Sequence, residues 1–321
     1  MKASTSLRGL LFLAPVILLW AATPLLVSEL SAEMPSFQIN VLATAFCIVS
    51  LSAVALVSGR FRALRADSPA TIRMLLGLGL VGIFPYTLLY YLAFSLAPEA
   101  AGSVNIVNYL WPIWVVILSG PLLGEATRPL AIMAVGVSFA GVVVLIAGGG
   151  SLAAAPVVPY AVAGAGAFFW GLFSVLSKRH SHEPITAVVL YSSSAVLGFA
   201  AVALIAAAAG AGPLVPPSPR AWLLLALLGG GVNAFGYLFW TLALRHGETG
   251  LVSSLVYLVP FVALAYLRLF RGQRVRAVQV AALALVVAGP LLLRVLQGRP
   301  AAPERPDSPG RPDSPGHSPD R

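Results

Sequence analysis

The chain has 321 residues, 59% of them hydrophobic and only 10% charged, with a mean hydropathy of +0.90. A soluble domain carries about 25% charged residues, so composition excludes one. The net charge of +9 does not indicate a nucleic-acid binder, because the basic residues stand at the ends of apolar runs and in a C-terminal tail.

A membrane-spanning helix needs about 20 apolar residues. Runs of that order recur at 9–28, 37–58, 74–96, 100–123, 130–147, 158–177, 185–209, 221–244, 249–267 and 277–296. Barrel strands would be shorter and alternating, so the expected class is an all-α membrane protein with ten transmembrane helices. Lys2 and Arg8 before the first run could introduce a cleaved signal peptide. That run is of full span length, however, and carries Trp20, Pro24 and Ser28 at helical spacing, so it reads as a span. The second run holds Cys47, the single cysteine, which can form no intramolecular disulfide and joins no metal-ligand cluster.

The third run supplies Tyr86 and Tyr90 after Gly77, Gly79 and Gly82, small residues that suit close helix approach. In the fourth, Asn105, Asn108, Tyr109 and Pro112 are spaced to share one helical face. Buried asparagine is costly without partners, so this face is expected to look inward, as a cavity wall or as helix–helix glue. The apolar stretch around Gly148-Gly149-Gly150-Ser151 then joins two halves. In the sixth run Trp170, Ser174 and Lys178 repeat the spacing of the first, with Lys178 expected to snorkel. The eighth offers Gly229 to Gly231, Asn233, Tyr237 and Trp240, and the ninth Ser253, Tyr257 and Pro260. After Arg299 the composition turns to proline, serine and charge, and the segment Arg305 to Gly310 recurs as Arg311 to Gly316. Such a tail has nothing to pack.

A shift of 148 lays Tyr109-Leu110-Trp111-Pro112 on Tyr257-Leu258-Val259-Pro260, and a shift of 150 lays Trp20-Ala21 on Trp170-Gly171. The chain therefore divides into a first five-helix repeat (1–147), an outer linker (148–157), a second five-helix repeat (158–298) and a disordered cytoplasmic tail (299–321). Five is odd, so the repeats are expected to be inverted, an arrangement that suits alternating access around a midplane site. Lys and Arg counts in the loops place both termini in the cytoplasm, with the cluster Arg268 to Arg276 as a violation.

All acidic residues and all histidines lie outside the centres of these runs, and no catalytic, phosphate-binding or metal-binding motif is present. No catalytic residue, metal or cofactor is therefore expected. The candidate substrate-binding residues are Trp20, Pro24, Tyr86, Tyr90, Asn105, Asn108, Tyr109, Pro112, Trp170, Ser174, Asn233, Tyr237, Trp240, Ser253, Tyr257 and Pro260. Asparagine and serine can donate to a carboxylate, carbonyls freed near proline can accept from an ammonium, and the rings can stack. Without a mid-span acid or histidine, the expected energetics are those of facilitated diffusion rather than proton antiport.

The Trp-Ala and Trp-Gly steps, the proline-bearing fourth helix and Gly124-Glu125 after it resemble the drug/metabolite transporter superfamily, EamA type, across residues 7–296. Within that superfamily, Val107-Asn108-Tyr109-Leu110-Trp111-Pro112 is similar to bacterial exporters of aromatic amino acids. The resemblance implies ten helices in an inverted repeat and a bacterial inner-membrane location. It also implies a cavity lined by the first, third, fourth, sixth, eighth and ninth helices. Gly272-Gln273 departs from the family's Gly-Glu at the equivalent end of the second half. The expected function is a secondary transporter, acting as a monomer among membrane lipids, that exports aromatic amino acids and similar small amphipathic metabolites by alternating access. The alternatives are a multidrug or nucleotide-sugar carrier of the same superfamily, an intramembrane enzyme, or a receptor.

Overall fold

The computed structural model describes residues 2–62, 67–124, 157–178, 182–210, 214–246 and 256–297, with scattered positions between 133 and 144. Among these residues every regular element is helical. Helix α1 (Lys2–Ala21) turns at Ala22 into α2 (Thr23–Leu30), and α3 covers Ser36–Val57. A single run follows, made of α4 (Pro69–Leu78), a π-helical turn (Gly79–Ile83) and α5 (Phe84–Leu96). Beyond a 3-10 turn at Pro98–Ala100 come α6 (Ala101–Asn108) and α7 (Trp111–Leu123). The later part contains α8 (Val157–Lys178), α9 (Pro184–Ala208), α10 (Pro219–Ala226), a π-helical stretch (Leu227–Phe235) and α11 (Gly236–His246). It closes with a 3-10 turn (Val256–Leu258), α12 (Val259–Arg271) and α13 (Ala277–Gln297).

Six of these runs are long and apolar enough to cross a bilayer: Arg8–Leu30, Ser36–Val57, Pro69–Leu96, Val157–Ser177, Pro184–Ala208 and Pro219–Trp240. Their outer surfaces expose Val49, Leu56, Leu197, Leu204, Ile205 and Leu223. A continuous apolar surface of that kind is tolerated against lipid and not against water. More than half of the expected fifth segment, 130–147, falls outside the described residues, as does the start of the ninth.

The helix starts follow from local chemistry. Ser68 caps α4 through Thr71 N (3.2 Å), and Ser218 caps α10 through Ala221 N (3.0 Å), each followed by a proline at the first helical position. Glu183 caps α9 through Thr186 N (2.9 Å), again with Pro184 next. Such caps satisfy amide groups that the helix cannot, and proline there loses no hydrogen bond.

The fourth segment departs from the expected single helix over 100–123. It breaks at Tyr109-Leu110, where Tyr109 N donates to Ile106 O (3.1 Å) and Leu110 N to Val107 O (3.1 Å), three residues back. The cause lies two residues on: Pro112 has no N–H to offer the Asn108 carbonyl one turn earlier. The ninth segment restarts in the same way, with α12 beginning at Val259 and Pro260 in its first turn. The first segment bends at Ala22, ahead of Pro24.

Helices α3 and α9 pack side by side and run antiparallel. Near the start of α3, Gln38 donates to Val215 O (2.5 Å) and accepts from Val215 N (3.0 Å), beyond the end of α9. Past the end of α3, Arg60 pairs with Glu183 at the start of α9 (3.6 Å). Of the glycines expected at close approaches, a Cβ at Gly82 would lie 2.5 Å from Phe173 Cβ, and one at Gly229 would strike the Ala43 carbonyl. Gly77 and Gly231 face open space and carry no such constraint.

Candidate functional site

The bundle holds a cavity of about 70 Å³, room for about five waters at 10–15 Å³ each. Its wall is formed by Trp20, Thr23, Thr44, Cys47, Ile83, Tyr86, Thr87, Tyr90, Tyr91, Asn105, Asn108, Tyr109, Trp111, Trp170, Ser192, Asn233 and Tyr237. No residue of this wall is an acid, a base or a histidine.

The α6 end of the cavity is set by the helix break. Tyr90 donates to Asn105 Oδ1 (2.5 Å), so that oxygen joins α5 to α6. Asn108 stands where the helix stops and is 4% exposed, and its Oδ1 has no hydrogen-bond partner among the described residues. The Tyr86 and Tyr90 hydroxyls lie beside the Asn108 side chain without reaching that oxygen in bonding geometry. A buried acceptor left unpaired costs about 1–3 kcal/mol, so this oxygen takes its partner from whatever fills the cavity, water or a solute donor.

Aromatic rings supply most of the remaining wall. Trp170 sits between Tyr86 (ring centroids 4.8 Å) and Tyr237 (5.5 Å), and Trp20 approaches Tyr237 at 5.9 Å. Tyr86 stacks on Tyr90 at 5.5 Å with planes 17° apart. Asn233 Nδ2 donates to the Tyr91 hydroxyl (3.2 Å), tying the π-helical stretch of the second half to α5. Polar atoms and flat apolar faces of this sort fit a small amphipathic molecule with a planar ring.

Of the residues expected from sequence, Trp20, Tyr86, Tyr90, Asn105, Asn108, Tyr109, Trp170, Asn233 and Tyr237 come together in this wall. Pro24, Ser174, Trp240 and Pro260 do not line it. Pro24 is buried in the first turn of α2 and bends the chain, leaving Thr23 at the cavity. Ser174 donates to the Trp170 carbonyl (2.7 Å), and Trp240 packs behind Trp20 at 5.5 Å. Pro260 is buried at the start of α12. Ser253 and the side chains of Pro112 and Tyr257 lie outside the described residues.

The wall also contains residues that sequence reasoning did not single out: Thr23, Thr44, Cys47, Ile83, Thr87, Tyr91, Trp111 and Ser192. Thr44, Cys47 and Ser192 come from α3 and α9, the second and seventh spans, which were not expected to contribute. No described residue of the ninth span contributes.

An all-helical bundle that encloses an uncharged aromatic cavity within lipid-facing walls is the architecture of a membrane carrier. The chain belongs to the EamA-like transporter family, whose sequence pattern matches residues 7–147 and 159–295, two copies in one chain. It is accordingly a multi-pass membrane transporter and not an enzyme. It is 31% identical over 291 residues to the aromatic amino acid exporter YddG of Ancylobacter novellus, covering 88% of this chain and 96% of that one. A solved crystal structure of a 25% identical protein superimposes with a TM-score of 0.65 over 92% of this chain and 98% of its own.

Proposed function

We propose that the protein exports aromatic amino acids and similar small amphipathic metabolites across a bacterial inner membrane by alternating access. The observation that carries this reading is the unpaired Asn108 Oδ1 inside a wall of Trp20, Tyr86, Trp170 and Tyr237. An α-ammonium can donate to that oxygen while a ring lies against the aromatic faces, and cation–π contact adds to the hold on the ammonium. The similarity to an exporter named for aromatic amino acids points the same way.

Alternating access draws support from the contacts between the halves. At the end of the bundle near Glu29, Arg220 reaches Glu29 (2.5 Å) and Glu33 (3.7 Å), and Arg271 reaches Glu29 (3.0 Å). Ser218 donates to Glu33 (2.6 Å), and Gln273 donates to the Glu99 carbonyl. At the opposite end Arg60 meets Glu183. Polar contacts that can part and re-form at either end suit a gate better than a packed apolar seam does. We read the architecture as ten spans in two inverted repeats, with both termini cytoplasmic; the antiparallel α3 and α9, equivalent helices of the two halves, support the inversion.

Counterflow in proteoliposomes against a panel of amino acids and a planar organic cation tests the function. Phenylalanine, tyrosine and tryptophan are expected to exchange fastest. Asn108→Ala should slow them about tenfold or more, since hydrogen bonds to charged groups contribute about 1.5–3 kcal/mol. Exchange of the cation alone would replace amino acid export with drug transport, and full activity in Asn108→Ala would remove Asn108 from the site.

A further inference from the structure

The cavity wall divides by element. Asn105 and Asn108 come from α6, whereas Thr44 and Cys47 come from α3 and Ser192 from α9. Helices α3 and α9 pack on each other, α6 packs on α2, α8, α12 and α13, and α5 touches both groups. The cavity therefore runs from the α6 asparagines, across the rings carried by α5 and α8, to the seam between α3 and α9.

The polar groups at that seam are not committed to their own helices. Serine and threonine in an apolar bundle usually bond the carbonyl three or four residues back, as Ser193 does to Val189 O (2.7 Å), Ser194 to Tyr191 O (3.0 Å) and Thr87 to Ile83 O (2.8 Å). Ser192, in the same serine triplet, instead faces the Cys47 sulfur at 3.7 Å, a weak partner for a hydroxyl. Thr44 is buried one turn from Cys47 on the same face of α3 and has no hydrogen bond among the described residues. Two hydroxyls and a thiol thus converge on the cavity with bonding capacity to spare and no charge.

We propose that Thr44, Cys47 and Ser192 form a subsite that hydrogen-bonds a neutral polar substituent on the solute's ring, a phenolic hydroxyl or a ring N–H, and so set the preference among aromatic solutes. This rests on the export reading above, in which the α-amino group is held at Asn108. The absence of charge at the seam suits such a substituent and disfavours a second carboxylate or ammonium, which would be left without a counter-ion.

Tyrosine and phenylalanine differ only by the group the subsite reads. In counterflow with the full chain, Ser192→Ala and Thr44→Val should each lower the tyrosine rate about fivefold more than the phenylalanine rate, the worth of one neutral hydrogen bond. Equal losses for both solutes, or an unchanged ratio in both variants, would overturn the subsite. A second measurement is independent of transport. Cys47 is the sole cysteine, so alkylation by N-ethylmaleimide in detergent reports on this wall alone. Addition of p-cresol is expected to slow alkylation more than toluene at the same concentration. Equal protection by the two refutes the proposal, since a subsite that bonds a ring hydroxyl must favour the phenol over the hydrocarbon. Should the wild type exchange neither amino acid, export itself falls, and the cresol–toluene comparison still decides the subsite.

Discussion

Trp170 bridges two tyrosines from opposite halves, Tyr86 of α5 and Tyr237 of α11, and so holds the flat centre of the cavity. Stacking on such a face is worth about 0.5–1.5 kcal/mol beyond burial. Trp170→Ala should therefore slow phenylalanine and tryptophan about twofold to tenfold more than threonine. Counterflow with the three solutes checks this, and a uniform loss would assign Trp170 a packing role instead. Large aromatic and amide side chains such as these were legible in the sequence because few other reasons place them in mid-span. Thr44, Thr87 and Ser192 were not, because hydroxyls in apolar helices are ordinarily satisfied by their own backbone and look the same whether or not they face a cavity. Tyr91 was hidden beside Tyr90, since a single helical face cannot present adjacent residues equally. The wall gathers both because each tyrosine reaches an asparagine on a different side of α5.

At the scale of elements, helical periodicity carried through the fourth segment would have kept Asn105, Asn108, Tyr109 and Pro112 on one face. The break at Tyr109-Leu110 ends that register, and Trp111 lines the cavity together with Asn105, Asn108 and Tyr109. Proline in the sequence signalled a lost hydrogen bond, but not that two residues would leave the helix altogether. Both π-helical segments occur in the third helical run of their half, 79–83 and 227–235. Each supplies cavity residues, Ile83 in one and Asn233 in the other, which fits the association of π-bulges with functional sites. The arginine cluster after the ninth segment, a violation of the positive-inside rule when read alone, is answered in part by Glu29, which binds Arg271 as well as Arg220. Glu29→Gln should weaken that end of the gate without unfolding the bundle. Labelling of Cys47 by a membrane-impermeant thiol reagent added on the Glu29 side is expected to rise about two- to fivefold, modest because the pairs are partly solvent-exposed. Unchanged labelling with normal protein abundance would show that these ion pairs do not hold the gate.

Over the whole molecule, duplication explains why the broad fold was readable without any single decisive motif. Ser68-Pro69 and Ser218-Pro219 begin equivalent helices, and Trp111 and Val259 restart equivalent broken ones. The same local physics therefore acts twice. The cavity between the copies draws on both halves, and among the described residues its wall holds no Asp, Glu, Lys, Arg or His, which bears on how transport is driven. A proton antiporter needs a group that exchanges protons with each side in turn. The acids that the structure does describe, Glu29, Glu33, Asp67, Glu99 and Glu183, sit at helix ends or in the turns beside them, Asp67 facing His182 at 4.0 Å. Three of them are held by cross-half ion pairs, and Glu99 lends its backbone carbonyl to Gln273. Under the proposed alternating access, solute binding alone would bias the two access states, and flux would follow the solute gradient. Counterflow of neutral aromatic amino acids should vary by less than about twofold on adding a protonophore, and it should need no imposed pH difference. Stimulation by an inward proton gradient would contradict facilitated diffusion. It would single out Glu29, the acid shared by two arginines at the gate, as the first residue to neutralise, because its release from those partners is the charge change most directly tied to opening.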